Sequence, residues 1–352
     1  MQTRKLGTSG VDVSLICLGT MNFGEQNTES EAHEQMDFAV SRGVNFIDTA
    51  ELYAVPPKPE TQGRTEEIIG SWFQAHRNRS TIVLASKVAG RSMMRWLRDD
   101  KAPTRLNRAQ MTEALNKSLK RLKTDYIDLY QIHFPERPMP WGAIPSTHSS
   151  TVMTDTPADL TPIDEQLAVL ADFVREGKVR FVGLSNESPW GMMKFLQAEE
   201  RSGLPRIQSV QNAYNLVNRT FESGAAEVSE RENVGLLAYS PLGQGYLTGK
   251  YRHGALPAGA RKTLFNRLQR YETPGADIAY EAYFALAQRL AISPAILALA
   301  FVNSRPFLTS NIIGATTMAQ LAECLDSINR PLSAEALAEI DAIHHLHMNP
   351  CP

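Results

Sequence analysis

Cysteine is scarce: only Cys17, Cys324 and Cys351 occur among 352 residues, with no C-x-x-C pair. Neither a disulfide framework nor a zinc site is expected from so few, so oddly spaced. A surplus of one charge is missing as well, with 36 Lys and Arg against 38 Asp and Glu and a formal net charge of −2. That excludes a basic field for nucleic acid or for an anionic membrane. No basic segment followed by a long apolar run opens the chain, and no window approaches the roughly 18 apolar residues of a membrane span. The expectation is a soluble, cytoplasmic protein. Internal repeats and low-complexity segments are absent too. So is a dinucleotide-binding glycine fingerprint: the nearest run, Gly243-Gln244-Gly245-Tyr246-Leu247-Thr248-Gly249, has the wrong spacing, which argues against a Rossmann fold.

What the chain does have is alternation. Eight short runs, β-branched or leucine-rich and mostly bounded by Gly, Asn, Pro or Thr, read as strands. They span 15–20, 45–50, 81–87, 126–133, 179–186, 209–214, 235–241 and 310–315. Between them lie stretches with helical spacing, such as Met111, Leu115, Leu119 and Leu122 in NRAQMTEALNKSLKRLK. Asn107 with Gln110 resembles a capping box, and Ser188-Pro189 and Ser293-Pro294 resemble N-caps followed by proline at the first helical position. A TSG turn near the start suggests a hairpin. Length alone suggests about two domains, but α/β barrels often exceed that as one unit. Eight strand–helix units predict a closed (β/α)8 TIM barrel in a single domain, residues 1–352, with an N-terminal β-hairpin. Two long insertions, 54–66 and 135–162, follow strands and therefore belong to the carboxyl-end face, where barrels carry their active sites.

Polar residues collect at those strand ends. Asp48 closes NFIDTA, with Tyr53 five residues on; Lys87 closes TIVLASK; His133 closes YIDLYQIH. Alone, each has an ordinary explanation as a turn residue, a half-buried ring, a solvated lysine or a structural histidine. Together they fit the reduction of a carbonyl, in which hydride addition leaves an alkoxide that must be protonated. A phenol is a poor acid, with a reference pKa of roughly 10. An ammonium at about 4 Å is worth on the order of 4 kcal/mol at an effective dielectric of about 20, enough to lower the phenol by a unit or two. Tyr53 is thus the expected proton donor, Lys87 its tuner, Asp48 the counterion of Lys87, and His133 a donor to the carbonyl oxygen.

FIDTAELY, LASK and LYQIH resemble the catalytic segments of the aldo-keto reductases, and GEQN, PPKPETQG, SLKRLKTDYIDLYQIHFPERP and PAGAR are closest to the Tas-like subgroup. The resemblance runs from the N-terminal hairpin to IIGATT. It implies a (β/α)8 barrel using a nicotinamide cofactor, with Asp48, Tyr53, Lys87 and His133 as the catalytic tetrad. It also implies that Ser185, Asn186 and Gln211 bind the nicotinamide carboxamide while Tyr239 stacks on its face. Ser240, Pro241, Leu242, Gly243 and Gln244 would receive the pyrophosphate, with Lys250 and Arg261 as nearby cations. Gly19, Thr20 and Met21 border the same site. The turn Gly314-Ala315-Thr316-Thr317 and the helix after it, with Gln320 and Glu323, would face the adenosine end. Many relatives place Arg or Lys there and Asn where Cys324 stands, so NADP(H) over NAD(H) is inherited from the subgroup and only weakly backed by local residues. Phe23, Trp96, Phe134 and Trp141 are candidates for an apolar substrate wall, implying an aldehyde or ketone with apolar character.

Two other readings compete. One is a non-catalytic NADP(H)-binding redox sensor like the potassium-channel beta subunits of the family; those lack the histidine that this chain keeps. The other is a barrel hydrolase using Asp48, Glu51 and Glu66. His344, His345 and His347 lie near the tail without strand-end carboxylates, and read as a solvated helix end rather than a metal site. An oligomer is possible but nothing demands one.

Overall fold

The computed structural model describes residues 1–139, 157–267 and 269–352. A short hairpin comes first: β1 (Thr3–Lys5) pairs antiparallel with β2 (Asp12–Ser14), Arg4 opposite Val13. Eight parallel strands then close on themselves: β3 (Ile16–Gly19), β4 (Phe46–Asp48), β5 (Val83–Val88), β6 (Ile127–Ile132), β7 (Val179–Ser185), β8 (Ile207–Ala213), β9 (Gly235–Tyr239) and β10 (Leu308–Ile313). Neighbours in sequence are neighbours in the barrel, and β10 returns to β3. Each expected strand is present within a few residues of its expected bounds.

The barrel has two apolar layers because side chains alternate along a strand. Cys17, Phe46, Val83, Ala85, Leu129, Leu237 and Ile312 point inward and pack together, and Leu6 and Val13 of the hairpin segment join them. The hairpin therefore plugs the amino-terminal end of the barrel. The intervening residues, among them Ile16, Ile47, Leu84, Val182 and Val210, face outward into the larger core shared with the helices.

Helix starts follow local chemistry. The hydroxyls of Ser188 and Ser293 accept from the N–H groups of Gly191 and Ile296, and proline follows each. Asn107 caps the helix Arg108–Leu122, but the amide oxygen of Gln110 accepts from Arg105 N–H instead of completing a capping box. The expected 54–66 insertion is shorter than read, since a helix begins at Arg64. His344 is also corrected: it turns inward on the helix Ala334–Leu346 and is only 9% exposed, while His345 stays in solvent.

Candidate active site

Strand alternation decides which polar side chains enter the mouth of the barrel. Phe46 points inward, so Asp48 does too; the series Val83, Ala85, Lys87 and Leu129, Gln131, His133 follow the same parity. Val210 faces out, which turns Gln211 in. Apolar residues thus fill the lower barrel, and the next inward positions carry the polar groups at the carboxyl end.

Lys87 is fully buried, and its ammonium donates to Asp48 Oδ2 at 2.6 Å and to the carbonyl of Thr49 at 2.8 Å. The other carboxylate oxygen accepts from Gln211 Nε2 at 2.8 Å and Gln131 Nε2 at 3.4 Å. Lys87 Nζ lies 5.0 Å from the centroid of the Tyr53 ring. That ring meets His133 edge-on, with centroids 5.7 Å apart and planes at 82°. The four residues converge at the base of one cleft.

One electrostatic expectation is overturned. The Tyr53 phenol is pushed up, not down: burial raises it most, the Lys87 ammonium pulls it back only in part, and Asp48 adds to the rise. At 9% exposure the phenol loses more hydration than the neighbouring charge returns. Burial also works against the charge on Lys87, but Asp48 and Tyr53 outweigh it and leave the ammonium raised. His133 falls well below its ordinary range, through burial first and Lys87 second, so it stays neutral. Its Nδ1 is buried without a hydrogen-bond partner among the described residues.

The cleft above has a volume of about 750 Å³. Gly19, Thr20, Met21, Ser185, Asn186 and Gln211 line it, as do Tyr239, Ser240, Pro241, Leu242 and Gln244. Lys250, Arg261, Gly314, Thr316, Gln320 and Glu323 complete the predicted set that reaches it. Gly19 has no room for a side chain, because a Cβ would come within 2.9 Å of the Ile313 carbonyl. Gly245, at φ +104°, lets Lys250 cross the loop; a Cβ there would meet Lys250 Cε at 2.5 Å.

The Asp48 carboxylate takes the amide nitrogen of Gln211, which leaves the amide oxygen as the group available to the cleft. Asn186 donates to the His133 carbonyl at 2.8 Å and accepts from the Tyr239 hydroxyl at 2.7 Å. Lys250 lies over the Tyr251 ring and Arg261 donates to Asn22 Oδ1 at 3.1 Å; neither has a carboxylate partner among the described residues. Burial lowers both, and Arg261 adds to the lowering of Lys250. Two poorly hydrated cations side by side make a place for an anion.

Some predicted residues are elsewhere. Phe23 is buried in the outer core and does not reach the cleft. Trp96 packs behind the cleft wall against the cluster of Leu52, Tyr53 and Phe134, and Met94 takes the wall position beside Phe134. Gly243 is buried, and Thr317 caps the helix Met318–Asp326 instead of facing the cleft. Trp141 lies outside the described residues. Sequence reasoning missed Asn22, Arg267 and Arg270 at the cleft. Asn22 stands between the candidates Met21 and Phe23, and NRLQRY carries two cations six and nine residues past Arg261.

The hydrolase reading loses its carboxylates. Glu51 is held by Arg98, with Nη1 2.8 Å from Oε2, and Glu66 by Arg121 Nε at 2.8 Å and the Ser86 hydroxyl at 2.6 Å. Among the described residues no helix is long and apolar enough by itself to cross a membrane.

Residues 15–345 match the profile of the Aldo/keto reductase family. Over 355 aligned residues the chain is 47% identical to "Protein tas" of Escherichia coli (strain K12), covering 100% of each. It is 32% identical to "Uncharacterized oxidoreductase YrpG" of Bacillus subtilis (strain 168), covering 97% of this chain and 96% of the relative. A "Probable voltage-gated potassium channel subunit beta" of Arabidopsis thaliana is 30% identical over 94% of this chain and 92% of its own. The chain belongs to the Aldo/keto reductase family.

Proposed function

We propose that the protein reduces an aldehyde or ketone with NADPH, Tyr53 delivering the proton. The observation that carries this reading is the buried Asp48–Lys87 pair beneath Tyr53 and His133, at the floor of a cleft lined by Lys250 and Arg261.

The residues present suit a nicotinamide dinucleotide. Gln211, fixed by Asp48, offers an acceptor to a carboxamide N–H, and Ser185 and Asn186 stand beside it. Tyr239 offers a ring to the nicotinamide face. Lys250 and Arg261 suit phosphate, and the neutral Thr316 and Gln320 stand at the expected adenosine end. Gln320 Oε1 there accepts from Thr316 N–H at 3.0 Å. NADH and NADPH share the pyrophosphate that this cationic pair would face, so the preference for NADP(H) rests on the resemblance to the Tas-like subgroup and not on the pair.

When bound, dihydronicotinamide supplies a hydride to the carbonyl carbon. Tyr53 hands its proton to the oxygen as negative charge builds there, and its raised pKa keeps that proton in place at neutral pH. Lys87 stabilises the phenolate left behind, and Asp48 holds Lys87 charged and aligned. Neutral His133 positions the carbonyl oxygen by a hydrogen bond. Met21, Val55, Met94 and Phe134 surround the reacting centre with apolar surface, which suits substrates with apolar substituents.

The test is NADPH consumption against a panel of aldehydes and ketones, run beside NADPH binding. Turnover on apolar members supports the reading. Tight binding with no turnover across the panel would favour the non-catalytic module instead.

A further inference from the structure

The pairing of β4 with β5 does not stop where β4 ends. Within the strands Phe46, Ile47 and Asp48 stand opposite Val83, Leu84 and Ala85. Beyond them Thr49 N–H donates to the Ala85 carbonyl at 2.9 Å, and Glu51 N–H to the Lys87 carbonyl at 3.2 Å. On the β4 side the series ends there, since Tyr53 N–H turns back to the Ala50 carbonyl at 3.1 Å. On the β5 side no backbone carbonyl among the described residues meets the N–H of Ala89, two residues past Lys87. The Glu51 carboxylate does, with Oε1 at 2.8 Å.

That carboxylate is 1% exposed and held by Arg98, itself fully buried, whose Nη1 reaches Oε2 at 2.8 Å and whose Nη2 reaches Oε1 at 3.1 Å. From the other side Gln62 Nε2 donates to the Glu51 carbonyl at 2.6 Å. Glu51 lies two residues before Tyr53, and Ala89 two residues after Lys87. Arg98 belongs to the segment that brings Met94 to the cleft wall.

We propose that the buried Glu51–Arg98 pair is a positioning device for the reaction: the carboxylate replaces a missing strand rung and so fixes the spacing between Tyr53 and Lys87. Neither residue touches the reacting atoms. The proposal rests on the reading of Tyr53 as proton donor. A loop carrying Tyr53 could satisfy its own backbone by many turns, whereas a carboxylate shared between Ala89 N–H and a bidentate guanidinium permits one. Misplacement of a reacting group by about 1 Å can cost on the order of a hundredfold in rate.

Removing Glu51 alone would strand a buried guanidinium and destabilise the fold. The decisive variant is therefore Glu51→Leu with Arg98→Met, which removes both charges and keeps the volume. Three quantities are read: melting temperature, NADPH affinity, and kcat with KM on the best aldehyde of the panel. Positioning predicts NADPH affinity close to wild type and melting lowered only modestly, by the Ala89 N–H left without its acceptor, with kcat lowered about 30-fold to 100-fold. A purely structural pair predicts kcat recovering with stability, and wild-type kcat in the double variant overturns the proposal. Should the double variant not fold, Glu51→Gln serves, since it keeps an acceptor for Ala89 N–H but only a neutral partner for Arg98. A kcat about tenfold lower at unchanged NADPH affinity supports the proposal; an unchanged kcat overturns it. Tyr53→Phe measured alongside separates the two claims. If that variant still turns over, the reading of Tyr53 fails; if only the Glu51 variants stay fully active, positioning alone fails.

Discussion

Asp48 and Gln211 are joined by a hydrogen bond of 2.8 Å from the amide nitrogen to one carboxylate oxygen, while Lys87 occupies the other at 2.6 Å. A single buried carboxylate thus orients both the cation beside the proton donor and the amide offered to the cofactor. Asp48→Asn should disturb both. It leaves Lys87 buried without its counterion, so stability should fall by about 3 kcal/mol. Turnover should fall on the order of a hundredfold, and NADPH should bind more weakly because the one oxygen an asparagine keeps cannot serve both Lys87 and Gln211. Thermal melting, kcat and cofactor titration report the three; a loss of kcat alone contradicts the shared role.

Lys250→Met and Arg261→Met should each weaken NADPH and NADH alike, because both cofactors carry the pyrophosphate that these cations face. A charge-assisted hydrogen bond is worth about 1.5–3 kcal/mol, so the loss for each cofactor should be roughly tenfold to a hundredfold. Fluorescence titration with both cofactors measures it. A loss confined to NADPH would contradict that placement and set the cations at the ribose 2′-phosphate.

The raised phenol sets a pH dependence. Reduction uses the protonated form of Tyr53, which persists up to its raised pKa. The rate of carbonyl reduction should therefore stay level through neutrality and decline only above a pH of about 10. Alcohol oxidation needs the phenolate and should climb with alkalinity. Initial rates in both directions across pH test this, and a reductive limb falling near pH 7 contradicts it.

His133 carries a stability effect of the opposite sense. Its folded pKa is depressed, so below the unfolded value of about 6.5 the unfolded chain takes up a proton that the folded chain refuses. Stability is full above that pH and drains away below it, toward the depressed folded pKa. His133→Gln should lose less melting temperature than wild type between pH 7.5 and pH 5, a comparison that cancels other carboxylates and histidines.

Phe23→Ala should behave as a core mutation, costing about 3–5 kcal/mol with little change in substrate preference. Met94→Ala should do the reverse, raising KM for bulky apolar carbonyls while the fold stays intact. Denaturant melts and KM across a substrate series distinguish the two.

The contrast between Phe23 and Lys87 shows where sequence reading stops. The strands were legible because short β-branched runs end in turn residues, and period-two alternation then carries Asp48, Lys87, His133 and Gln211 to the barrel mouth. Phe23 lies four residues past the end of β3, where alternation no longer applies and its direction depends on how the loop packs. Trp96 sits in the single 3-10 turn Arg95–Leu97 and Met94 just before it, too short a stretch to show periodicity, so only tertiary packing decides which one faces the cleft. The direction of the Tyr53 shift needed its burial, which no local pattern reveals. Glu51 was visible as a carboxylate, but its partner Arg98 is 47 residues away and nothing local links them.

The most direct measurement is steady-state NADPH oxidation with a reactive aldehyde, wild type beside Tyr53→Phe, together with NADPH affinity for both. The account predicts that loss of the one hydroxyl lowers turnover by about a hundredfold to ten-thousandfold and leaves NADPH affinity unchanged. Turnover in the variant comparable with wild type would contradict it.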